Sequence, residues 1–199
     1  MSFYAKIKWV LGILLVFVLI VATNLIDRNN FVLVRDSVQT IYEDRLVVKD
    51  LIFKISKSMQ QKELALAKND SAFFKTANTQ INASIENYID RYAETKLTAE
   101  ESRVFNDLKV NMDELLDAEG QLMQNGYENP STVLKSIGTI RENLDDLSDI
   151  QLNEGSRQMT ISKRAVESVE LFTQMEIYLL VFLAIVIQII VMYNPKEKS

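Results

Sequence analysis

The sequence predicts an all-α protein: an antiparallel up-down-up-down four-helix bundle carried on two transmembrane helices that continue into its first and fourth helices. Three observations predict it. Two apolar runs, Trp9 to Ile26 and Ile177 to Tyr193, sit at opposite ends of a chain of 199 residues. Between residues 27 and 176 the only breakers are Pro130 and the glycines Gly120, Gly126, Gly138 and Gly155, which is scarce enough to favour long helices. Apolar residues in that stretch recur at three- and four-residue steps, without strand-like alternation.

Taking the elements in order, the first span covers residues 9–26 and the second 177–193. A bilayer core takes roughly 20 apolar residues in a helix, with about 17 to 25 observed. Backbone groups in lipid must bond internally, so both spans are expected to be helical. Phe3, Tyr4 and Trp9 flank the first and Tyr178 and Tyr193 the second, as interfacial aromatics do. Lys6 and Lys8 precede the first span, and Lys196 and Lys198 follow the second, with Glu197 the one acid among them. The positive-inside rule then makes residues 1–8 and 194–199 cytoplasmic tails and residues 27–176 an ectodomain. The expected location is a bacterial-type inner (plasma) membrane, crossed twice, with the ectodomain periplasmic or extracellular. A cleaved signal peptide is the competing reading of the N-terminus, but Ile20-Val21-Ala22-Thr23-Asn24-Leu25 holds no small-x-small cleavage site. The six residues after Tyr193 lead to the expectation that no output domain follows.

The first helix, about residues 27–68, carries Val34, Val38, Ile41, Val48, Ile52, Ile55, Met59 and Leu66 on a seven-residue repeat, the seam of a left-handed bundle. Asn69-Asp70-Ser71 ends it and caps the next. The second helix, about 71–95, is expected to bury Phe74, Ala77, Ile81, Ile85, Tyr88 and Tyr92. Thr98-Ala99-Glu100-Glu101 is a capping box: the Thr98 hydroxyl accepts from the amide three residues on, and Glu101 reaches back to the Thr98 amide. The third helix, about 99–125, carries Val104 or Phe105, Leu108, Met112, Leu115 and Leu122, and Asn125-Gly126 forms its C-cap. Asn129-Pro130 opens the fourth, about 130–176, where Val133, Ile137, Ile140, Leu144, Leu147, Ile161, Ala165, Phe172, Met175 and Leu179 share one register that runs into the second span.

Lengths agree with this topology. The first and fourth helices would rise roughly 60 and 70 Å above the membrane, and the middle two about 40 Å each, at 1.5 Å per residue. The middle hairpin therefore packs on the membrane-distal part of the other two and leaves a two-helix stalk, which calls for a homodimer.

Composition excludes several function classes. There is neither cysteine nor histidine, so disulfides, thiolate chemistry, the usual zinc sites and imidazole catalysis are excluded. The tails hold four lysines against one glutamate, so the chain's net −5 leaves −8 on the ectodomain. That balance argues against nucleic acid or an anionic membrane surface as partner. No nucleophile is paired with a base and no glycine-rich phosphate loop is present, so no enzyme and no cofactor is expected.

Span, long helix, two shorter helices, long helix, span: this order resembles the four-helix-bundle sensory domain of methyl-accepting chemotaxis proteins. Leu144-Asp145-Asp146-Leu147-Ser148-Asp149-Ile150-Gln151 is similar to the leucine-rich segment of that family's fourth helix. The resemblance implies a membrane dimer that binds a small molecule or a binding protein on the ectodomain. It also implies that a small shift of the fourth helix passes through the second span. With six residues after Tyr193, the chain is expected to depart from the family by having no HAMP unit and no cytoplasmic signalling helices. A separate signalling membrane protein is therefore the expected partner.

Four residues are candidates for a ligand site. Arg45 breaks the seam of the first helix, and Gln151, Glu154 and Gln158 occupy seam positions of the fourth between Leu147 and Ile161. Counted from the membrane, Arg45 lies at roughly 27 Å, Gln158 at roughly 29 Å and Glu154 at roughly 35 Å. Arg45 can hold a carboxylate by two hydrogen bonds, with the glutamines completing the shell. The alternatives are an Arg45–Glu154 pair that fixes register, or residues that simply face water. Glu142, Asp145, Asp146 and Asp149 share faces of one helix, which supplies too few converging ligands for a metal and reads as a solvated surface. Asn24 and Gln188 are polar residues in or beside the spans, candidates for contact with another membrane helix. The expected function is chemoreceptor-like sensing, with a ligand-free scaffold or a truncated, output-less receptor as alternatives.

Overall fold

The computed structural model describes residues 3–192; Tyr193, the expected end of the second span, and the tail 194–199 lie outside the described residues. The chain is all-α, with no strand among the described residues. Helix α1 spans Phe3–Thr40 and passes through a π-helical turn, Ile41–Leu46, into α2, Val47–Ala67. Then come α3, Ser71–Lys75, α4, Ala77–Ala93, α5, Ala99–Gln124, and α6, Ser131–Met192. Two helices are long and apolar enough to cross a membrane, one beginning at Trp9 and one reaching Val186.

The chain divides into two compact units. One is the four-helix bundle, Gln39–Gln158. Its core draws on every helix: Val48, Leu51, Ile55 and Met59 from α2, Ile85 and Tyr92 from α4, Leu108 and Leu115 from α5, and Ile137, Ile140, Leu144 and Leu147 from α6. Fully burying each large aliphatic contributes about 1.5–3 kcal/mol. Cross-helix bonds fix the up-down-up-down order. Near its start the α2 segment meets the end of α4 and the start of α5, through Arg45 to the Lys96 carbonyl and to Glu101. Near its end it meets the start of α4 and the end of α5, through Lys62 to Asn78 and to Glu119. Arg141 of α6 reaches Glu63, so α6 descends beside α2.

Local chemistry sets the boundaries. Asp70 caps α3 by accepting from the Phe73 amide at 3.0 Å. The helix breaks once at Thr76 (φ −125°, ψ −64°), so the expected single second helix is two pieces, α3 and α4. Both halves of the Thr98–Glu101 capping box are present. Gly126 takes φ +69° after α5, a left-handed conformation that glycine adopts without Cβ strain. Asn129 Oδ1 accepts from the Ser131 hydroxyl at 2.5 Å as α6 begins.

The second unit comprises the chain up to Val38 and from Met159 onward. Its spans expose apolar side chains along most of their length, as lipid-facing helices do. The seam differs here from the expected one: Ser37 is buried while Val38 is 57 % exposed, and Met175 is 57 % exposed although Ala165 is buried.

Candidate functional site: a polar node shared by four helices

At the start of α5 one side chain from each helix of the bundle meets in a buried polar node. Arg45 comes from the π-helical turn, Tyr92 from α4, Glu101 from α5 and Gln151 from α6. Arg45 Nη1 donates to Glu101 Oε2 at 3.0 Å and to Gln151 Oε1 at 3.1 Å. The Tyr92 hydroxyl donates to Glu101 Oε1 at 2.9 Å. The Gln151 amide donates to the Tyr92 oxygen at 3.2 Å and also to Glu101 Oε1. Glu101 Oε2 further accepts from the Thr98 amide at 3.2 Å, so the capping carboxylate is also the hub of the node. Glu101 stands in the first turn of α5, where the helix dipole favours an anion.

Burial sets the electrostatics. Arg45 is 7 % exposed and Glu101 0 %. Removal from water, with the Glu101 carboxylate alongside, pushes the Tyr92 phenol well above its ordinary value. Glu101 accepts hydrogen bonds at both oxygens, but Arg45 is less completely held: Nη2 reaches the Lys96 carbonyl only at 3.4 Å, and the buried Nε has no partner.

The structure thus brings together two of the four expected residues, Arg45 and Gln151. The Arg45–Glu154 pair is not formed. Glu154 instead accepts from Arg157 at 2.7 Å on the surface of α6, and Gln158 is half-buried outside the node. Heights counted only along the first and fourth helices omit the start of α5, which descends to the same level and supplies the anion. Asn24 and Gln188 are both exposed.

A second polar cluster lies nearer the α3 end of the bundle. Lys62, 0 % exposed, donates to Asn78 at 2.6 Å, Asn82 at 2.5 Å and Glu119 at 2.5 Å. Glu119 in turn accepts from the Asn78 amide at 2.7 Å and the Asn82 amide at 3.1 Å. Burial lowers the Lys62 ammonium below its ordinary value, with Glu119 opposing the shift. The sequence signal for it is a gap: Lys62 falls between Met59 and Leu66, and Glu119 between Leu115 and Leu122.

Beside the node, Glu100, Arg103, Asp146, Asp149, Asn153 and Glu154 edge an open groove of about 260 Å³. Among the described residues no group of acidic side chains is arranged to hold a metal. The node itself offers charge pairing and hydrogen-bond exchange between helices rather than a nucleophile and base.

An all-helical bundle with a polar interior node, on a chain with two helices long and apolar enough to cross a membrane, defines the class. The chain belongs to the family described as a four helix bundle sensory module for signal transduction, whose model matches residues 3–166. That is a sensory family, not an enzyme family. No curated protein and no solved structure matched the chain.

Proposed function

We propose that the chain is a chemoreceptor-like membrane sensor whose extracytoplasmic bundle binds a small ligand or a partner protein. Helix movement then passes along α6 to a separate signalling protein in the membrane. The observation that carries this reading is that α6 runs unbroken over Ser131–Met192, with bundle-core residues on its first part and an apolar span on its last. Arg45 and Gln151 would sense the ligand through the node, while Glu154 and Gln158 lie on the outer part of the same helix level. Both termini are cytoplasmic in this reading, and Asn24 and Gln188 face a neighbouring membrane helix. A homodimer is supported by the apolar side chains left exposed on one long helix, Tyr42, Leu46, Phe53 and Leu64.

The test is thermal unfolding of the full chain in lipid nanodiscs against a panel of amino acids, dicarboxylates and amines. A ligand present at about 100 times its Kd adds about 2.7 kcal/mol of stability. A ligand-dependent rise in Tm that Gln151→Ala abolishes supports the sensor. A second reading, a ligand-free scaffold subunit, is favoured by the internal pairing of Arg45 with Glu101. It gains if the panel gives no shift while crosslinking from position 188 finds one constant membrane partner. The natural chain has no cysteine, so single introduced cysteines report topology to an impermeant maleimide without background.

A further inference from the structure

Arg45 is mounted unlike the other members of the node. It sits in the π-helical turn Ile41–Leu46, where the Val47 amide donates to the Tyr42 carbonyl five residues back rather than four. π-helical turns hold one extra residue per turn and occur mostly as single bulges inside α-helices, frequently where function needs them. Glu101 is fixed by donors from four other residues, Arg45, Tyr92, Thr98 and Gln151. Arg45 keeps a buried Nε without a partner and a 3.4 Å contact from Nη2.

We infer that Arg45 and its π-helical turn form a latch: seated in the node when the turn is π-helical, withdrawn when the turn becomes α-helical. The chemistry of the two states is close to balanced. On withdrawal Glu101 still accepts from Tyr92, Gln151 and Thr98, so the buried carboxylate is not stranded. The guanidinium regains water, and its orphan Nε is satisfied. No residue is lost in the exchange; the extra one joins α1. The residues just before the turn, from Gln39, therefore advance by one position relative to α2, a rotation of about 100° and a rise of about 1.5 Å. A packed bundle converts a local change into such a discrete step because its interior does not deform continuously. The stroke lies on the first helix of the bundle, with Gln151 linking it to α6.

The latch deepens the sensor reading and rests on it, but its test reads only the bundle's own conformation. A failed latch therefore leaves that reading standing. A cysteine placed at Gln39 in the full chain carries a fluorine tag, and the protein is studied in nanodiscs by fluorine NMR. Wild-type protein is expected to show two resonances in exchange. Arg45→Met raises the minor-to-major ratio at least about tenfold, since 1.4 kcal/mol is a factor of 10 in an equilibrium. Deleting Tyr42 removes the extra residue, so the turn is α-helical while the residues before it keep their original register; the exchange is lost and one resonance remains, with Tm and helical circular dichroism retained. A single wild-type resonance that neither change moves overturns the latch. So does loss of folding on deletion, which makes the turn a packing requirement instead.

Discussion

Replacing Glu101 with alanine tests the node most severely. Glu101 is fully buried, pairs with Arg45 at 3.0 Å and closes the capping box of α5. Removing one partner of a buried pair costs about 3–5 kcal/mol: a seated Arg45 is left uncompensated, and a withdrawn one forfeits the bonds of the node. Loss of its half of the cap adds about 0.3–1.5 kcal/mol. The expected loss is therefore about 4–6 kcal/mol, on the order of 15–20 °C in Tm for a bundle of this size. The assay is chemical and thermal unfolding of the full chain, followed by circular dichroism. The double variant Arg45→Met with Glu101→Leu is the control. It strands no charge, and Tyr92 and Gln151 can still bond each other, so it should fall within about 2 kcal/mol of wild type. A cost below about 1 kcal/mol for Glu101→Ala, or a double variant that loses as much as the two single changes added together, would contradict a coupled buried pair.

Three other outcomes follow from the same geometry. The Tyr92 phenol is raised above 10.0 in the fold, so its contribution is complete below pH 10.0 and is lost as pH rises above it; unfolding curves should show this alkaline loss, and Tyr92→Phe should remove it. Lys62 is depressed below 10.5, so its sign is opposite: its contribution is present above pH 10.5 and lost as pH falls through the folded value. Lys62→Met should flatten that slope, read as the difference between the two proteins' stability over pH 7 to 10. Gly126→Ala, forced to φ +69°, should lower stability by about 1 kcal/mol without changing helical content at low temperature.

What the sequence made legible follows the range of the interaction. The capping box at Thr98, the break at Asn69-Asp70-Ser71 and the Asn125-Gly126 turn depend on neighbours within four residues. Each is in the structure where those residues stand. The heptad seam correctly assigns Val48, Ile55, Leu108, Ile140 and Leu147 to the core, because facing inward is a property of one helix. Pairing across helices is not. Arg45 was visible as a polar gap, but its anion stood in a capping motif whose local role already explained it. Lys62 and Glu119 were gaps in two different seams, and only the relative height of α2 and α5 brings them together. The π-helical turn leaves no compositional mark in Ile41–Leu46.

Transmission along α6 is read far from the node on the same helix. Tyr178, 74 % exposed, is replaced by a cysteine carrying a fluorine tag in the full chain in nanodiscs. Gln151→Leu is then introduced, which removes the bonds from α6 to Arg45, Tyr92 and Glu101. If α6 transmits the state of the node, the resonance at position 178 shifts or redistributes. An unchanged resonance at 178, with the bundle still folded, would contradict it.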